Sequence, residues 1–202
     1  MKERVNRMKK LNRKGFTLIE LLAVITIMGI LMLVAIPAVS RTIENSRRDT
    51  FADVAKTYIN TVRNSVLADE FKCGDESVGA TGDGAYYFKI DSEDGESKDI
   101  MESGGKSSWS NAEVEGYVKW VKETVEKDVE DSTTGEKEQS TKIKYYVFLV
   151  DTGKHGIDTL THENDLTRTK VKTSASKRAG ELTESDYPPA TGDDAATECT
   201  LK

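Results

Sequence analysis

Glu20 is the only charged residue between Phe16 and Val39. In hydrocarbon a carboxylate costs several kcal/mol unless it is protonated or paired with a cation. The chemistry Glu20 offers is therefore ion pairing. Its own helix supplies no partner within reach, which points to a cation on another molecule; a snorkelling acid near the helix start is the alternative. The two cysteines, Cys73 and Cys199, form a candidate disulfide, with two buried free thiols as the alternative. His155 in "TGKHGI" and His162 in "LTHEN" lack Cys or His neighbours at metal-ligand spacing and read as surface polar residues. Asp91, Glu93 and Asp94 ahead of Gly95 have the content of a calcium loop without the alternation of an EF-hand, so an acidic turn is expected. The chain shows no phosphate loop, catalytic triad or nucleophile elbow. No catalytic residue, metal or cofactor is expected, and the protein reads as a non-enzyme.

The frame that positions these residues starts with an anchor. The 21 residues from Phe16 to Ile36 would extend about 31 Å as a helix, the thickness of a bilayer core. Ahead of them, Lys2, Arg4, Arg7, Lys9, Lys10, Arg13 and Lys14 against Glu3 give the first fourteen residues a charge of +6, which leaves −12 on the rest of a chain whose total is −6. The positive-inside rule keeps such an N-terminus in the cytoplasm and sends the chain beyond Ser40 across the membrane. An acidic body argues against nucleic acid as a partner. A cleavable secretory signal fits poorly. The apolar run exceeds the about 7 to 15 residues of a signal core, it carries an ionisable group, and the small-residue site Ala38-Val39-Ser40 comes directly after Pro37. A chain of 202 residues suits one folded head plus this anchor.

The phrase Lys14-Gly15-Phe16-Thr17-Leu18-Ile19-Glu20-Leu21-Leu22, behind a basic leader, resembles the processing and assembly signature of type IV pilins and pseudopilins. The resemblance implies cleavage between Gly15 and Phe16 by a prepilin peptidase on the cytoplasmic side and N-methylation of Phe16. It also implies that Glu20 pairs with the Phe16 ammonium of a neighbouring subunit. The implied partners are the prepilin peptidase/methyltransferase, further copies of the chain or related pilins, and the cytoplasmic membrane. Gly29 and Pro37 stand where such proteins often carry them; helix packing and a kink account for them equally well. In many Gram-negative members a disulfide closes a loop near the C-terminus, whereas here the partner of Cys199 would be Cys73, far earlier. The implied role is a structural subunit of a type IV pilus-like filament. A pseudopilin of a type II secretion or DNA-uptake system is the alternative, and an uncleaved single-pass protein with an outer binding domain is the rival of a different class.

Beyond Pro37 the apolar residues thin into a helical stripe: Val39, Ile43, Phe51, Val54, Tyr58, Val62 and Val66. The helix is expected to end at Phe71-Lys72-Cys73-Gly74, with glycine as the stop. Strands are expected at Ala85–Ile90, at Val114–Val129 and at Lys142–Val150, the last two joined as a hairpin through "DSTTGEKE". "DSEDGESKD" and "ESGGKSS" read as loops, and the tail from Lys170 reads as surface chain. The expected fold is α+β, a long N-terminal helix packed at its C-terminal half on an antiparallel sheet. It divides into a leader (1–15), a transmembrane helix (16–39), an amphipathic continuation (40–72) and an extracytoplasmic β head (73–202).

Overall fold

The computed structural model describes residues 15–74, 83–91, 97–109, 111–127 and 138–202. A single helix, α1, runs Leu18–Leu67 and continues through Gly29 and Pro37. Residues up to Ile43 form one compact unit and those from Glu44 onward a second. Among the described residues of the first unit every large apolar side chain is exposed, from Phe16 at 89% to Met28 at 49%. The helix is long and apolar enough to cross a membrane. Bare apolar surface of this extent is stable only where lipid or other helices replace water.

In the second unit α1 turns amphipathic. Phe51, Ala55, Tyr58, Val62 and Ser65 are buried at steps of three and four residues, with Ala52 and Ile59 beside them. The expected stripe holds for Phe51, Tyr58 and Val62, but Val39 and Ile43 are exposed. The buried face meets a six-stranded sheet made of β1 (Phe71–Cys73), β2 (Gly84–Ile90), β3 (Val114–Lys127), β4 (Glu138–Asp151), β5 (Gly156–His162) and β6 (Thr197–Leu201). The spatial order is β1-β6-β2-β3-β4-β5. Phe71, Phe88, Ile90, Val118, Trp120, Val147 and Leu149 pack toward the helix in one core cluster. Close approach matters at Gly104, in the short helix α2 (Lys98–Gly104), where an added Cβ would fall inside the Tyr58 ring. The Tyr58 hydroxyl then donates to the Gly105 carbonyl at 2.8 Å, tying α2 to α1.

The β3–β4 hairpin pairs as expected, Val114 opposite Asp151 through Lys127 opposite Glu138. Of its turn, residues 128–137 lie outside the described residues. Other expectations need correction. The helix stops at Leu67, and Phe71–Cys73 is a strand. Asp69 takes a left-handed conformation at φ 55°, while the Asp69 and Glu70 amides donate to the carbonyls of Val66 and Ser65. That is a Schellman stop, with Asp69 rather than Gly74 in the left-handed position. α2 occupies part of both segments read as loops, and the tail carries β6 into the sheet. The sheet is also not wholly antiparallel, because β6 runs parallel to β2 while pairing antiparallel with β1.

The opposite face of the sheet holds Tyr87, Tyr117, Phe148 and Val150, covered by Ala175, Leu182, Tyr187 and Ala196 from the segment between β5 and β6. Two carboxylates fasten this cover. Asp158 pairs with Lys172 Nζ at 2.7 Å and accepts the Ser176 amide at 3.0 Å. Asp186 pairs with Lys177 Nζ at 2.6 Å and accepts both the amide and the hydroxyl of Thr183. Burial pushes both carboxyls up, but the lysine and the neighbouring donors outweigh it and hold each below its ordinary value. A folded-state pKa below the unfolded one gives stability that is present above about pH 3.9 and is lost as pH falls through the folded value. We expect acid titration of the detergent-solubilised protein from about pH 6 to about pH 2 to loosen the cover only at the acid end. Near-ultraviolet circular dichroism of the tyrosine cluster is the readout. Asp158→Asn with Asp186→Asn should remove much of that acid sensitivity; a signal as acid-sensitive as wild type would show that other groups control it.

Candidate functional site

Gly15, Phe16 and Thr17 precede the first residue of α1 and lie in irregular backbone. The first helical hydrogen bond runs from the Leu21 amide to the Thr17 carbonyl at 3.2 Å, which makes Thr17 the N-cap. The Thr17 amide and hydroxyl each donate to Glu20 Oε2 at 2.8 Å, and the Glu20 amide donates back to Thr17 Oγ1 at 3.4 Å. This reciprocal arrangement is a capping box. The expectation that the chain holds no partner for Glu20 is therefore corrected. Two neutral donors from Thr17 meet one carboxylate oxygen, and among the described residues no partner is placed on Oε1. Neutral donors lower the cost of the charge without cancelling it, so a cation still has a place to bind.

Thr17 joins the candidate site through these hydrogen bonds and is not among the residues singled out from the sequence. Its signal is present: Thr17-Leu18-Ile19-Glu20 has the spacing of a capping box directly before an apolar run. Gly15 is informative in the opposite way. A Cβ built there meets nothing within 4 Å, whereas one at Gly104 meets an aromatic ring. Among the described residues nothing packs closely enough to demand a glycine at 15. Phe16 beside it is 89% exposed.

In the second unit Cys73 and Cys199 face each other across β1 and β6 with Cα atoms 4.1 Å apart, and the structure joins them by a disulfide. Both are buried. Their position is set by strand register. The Gly74 amide donates to Glu198 and the Lys202 amide to Glu70, so Cys73 and Cys199 are a pair without backbone hydrogen bonds, where opposed Cα atoms come closest.

Both histidines make contacts within the fold. His155 stacks on Trp109, ring centroids 4.5 Å apart, with Nδ1 3.1 Å from Asp151. The fully buried Asp151 carboxylate also accepts the Ser107 hydroxyl at 2.5 Å and the amides of Gly153 and His155. Serine, aspartate and histidine meet here, but the serine hydroxyl and the imidazole both bond to the aspartate, so the arrangement is not the serine–histidine–aspartate relay of a catalytic triad. The cluster ties the segment after α2 to the β4–β5 turn. His162 accepts the Asn164 amide through Nδ1, capping a short turn of helix at Glu163–Asp165. Of the acidic turn, Asp91 is described while Glu93 and Asp94 lie outside the described residues. Among the described residues no group of three His, Cys, Asp or Glu is placed to hold a metal ion.

Comparison with known proteins bears on the N-terminal unit. Residues 10–36 match the prokaryotic N-terminal methylation motif, a stretch that includes Gly15, Phe16, Thr17 and Glu20. Neither curated proteins nor solved structures give a match. The matched stretch opens the apolar helix, and the helix leads into a mostly antiparallel sheet. The chain thus carries the prepilin signature of the type IV pilin and pseudopilin family on a pilin-like α+β architecture.

Proposed function

We propose that this chain is a prepilin, cut between Gly15 and Phe16, methylated on the new amino terminus of Phe16, and assembled into a type IV pilus-like filament serving adhesion, motility or a related surface role. The observation that carries this reading is the junction itself. A glycine that the fold does not require sits in irregular backbone, immediately before a helix whose apolar side chains are all exposed in the first unit. Hydrolysis there adds water across the Gly15–Phe16 amide, leaving a carboxylate on the leader and an ammonium on Phe16. The basic leader holds the N-terminus in the cytoplasm, and the head lies outside. Mass spectrometry of the mature N-terminus tests the assignment directly. It should read N-methyl-Phe16, and an intact leader in assembled or surface-exposed protein would favour an uncleaved membrane protein instead.

An extracytoplasmic head places Cys73 and Cys199 in an oxidising compartment, where an opposed pair closes. The bond spans a sequence separation of 126 residues, for which the chain-entropy model gives on the order of 4 to 5 kcal/mol, as an upper figure. Non-reducing peptide mapping of protein from its native envelope should recover the two cysteine peptides joined. Cys199→Ser should lower the head's stability by about 2 to 5 kcal/mol. Recovery of both thiols free and alkylatable in folded protein would end this part of the proposal.

A further inference from the structure

We propose that Thr17 is a positioning residue for the cut, a role that rests on the processing reading. Peptidases take substrate as open chain, because an amide inside a helix has its N–H and C=O committed to other residues. The scissile amide sits two residues ahead of the first residue of α1, and something must hold the helix there. Gly15 alone discourages helix rather than ending it.

The Thr17–Glu20 box supplies the stop. If the helix ran further toward the leader, the Thr17 amide would bond to the carbonyl of Arg13. Here it is spent on Glu20 Oε2 at 2.8 Å. The Thr17 hydroxyl is engaged in the same box, donating to Glu20 Oε2 and accepting from the Glu20 amide. With the Thr17 and Glu20 amides both engaged in the box, α1 begins at Leu18 and leaves Gly15 and Phe16 outside it. Glu20 consequently has two tasks: its acceptor oxygen sets the helix start in the precursor, and its charge serves assembly afterwards. A glutamine would retain the first task alone, since it also accepts in a capping box.

The test uses full-length precursor in membrane vesicles with purified prepilin peptidase, comparing initial rates of release of the leader. Thr17→Val keeps the shape and removes the cap, and should be cut about fivefold more slowly, the factor set by loss of a typical N-cap. The change should appear in KM, since fewer precursors present an open site, with kcat near wild type. Thr17→Ser and Thr17→Asn both cap helices and should be cut at close to the wild-type rate. If Thr17→Val is processed as fast as wild type, the cap has no part in the cut. If Thr17→Asn is as slow as Thr17→Val while Thr17→Ser is normal, the enzyme reads the hydroxyl directly and the positioning role is overturned. Failure of the wild-type precursor to be cut at Gly15–Phe16 would instead remove the processing reading itself.

Discussion

Gly15→Val should accumulate as full-length precursor in the membrane, its cleavage slowed on the order of a hundredfold, equal to about 2.7 kcal/mol in the barrier. Open space surrounds position 15, so valine there should leave the folding of both units unchanged. On the proposed processing, the demand for glycine would come from outside the chain, from an enzyme subsite with no room for a β-branched side chain. Forcing extra methyl groups into a well-packed site typically costs about 1 to 3 kcal/mol, and the expected slowing lies within that range. Immunoblotting resolves precursor from mature chain by the mass of the leader. Membrane insertion should be normal, because the apolar helix is untouched. Normal maturation of Gly15→Val would remove the main support for the prepilin assignment.

Glu20→Gln should be inserted and cut but should fail to assemble. Replacing the carboxylate by an amide lowers the cost of placing residue 20 in the membrane, so insertion is intact or improved. The amide still accepts from Thr17, so the helix start is retained. What disappears is the charge that would meet a neighbouring Phe16 ammonium. Leaving one member of a desolvated pair without its partner costs about 3 to 5 kcal/mol, which would reduce the association constant more than a hundredfold. Filaments sheared from cells should contain almost no Glu20→Gln subunits, while the membrane fraction holds mature chain. Glu20→Ala should show the same assembly defect with slower cleavage added, because it loses both the charge and half of the capping box. Entry of Glu20→Gln subunits into filaments at the wild-type level would make snorkelling the better account of this acid.

The sequence discloses most where one physical force acts alone. The exposed helix of the first unit is legible because its residues are apolar on every side. The β3–β4 hairpin is legible because Tyr, Val, Trp and Phe recur through its arms. The misreadings come from residues whose role depends on neighbours far away in the chain. Asp69 ends α1 in a conformation more often given to glycine, which makes Gly74 look like the stop. β6, Thr197-Glu198-Cys199-Thr200-Leu201, has little apolar content, and its place is set by β1 on one side and β2 on the other. α2 is hidden by the serines and glycines around it. At the N-terminus the methylation motif that spans Gly15, Phe16 and Glu20 is legible from the sequence. Thr17 reads as part of that motif; its capping-box spacing with Glu20 is also in the sequence, and the hydrogen bonds make it explicit.

The strand order has a consequence for timing. Among the described strands β1 lies at the edge of the sheet and pairs with β6 alone, the last strand in chain order. During synthesis β1 emerges soon after α1, then waits while 123 residues, Gly74 to Ala196, pass before β6 begins. Over that interval β1 has an unpaired backbone, and the β2 edge that will receive β6 is equally open. Closure over so long a separation is slow compared with a local hairpin. A chain stalled or clipped within that stretch would expose two open strand edges to envelope proteases, while a complete chain can shut both with one strand. If the chain is a filament subunit, as proposed, arrival of the last strand would act as a proofreading step, separating finished subunits from partial ones before they compete for a place in a polymer.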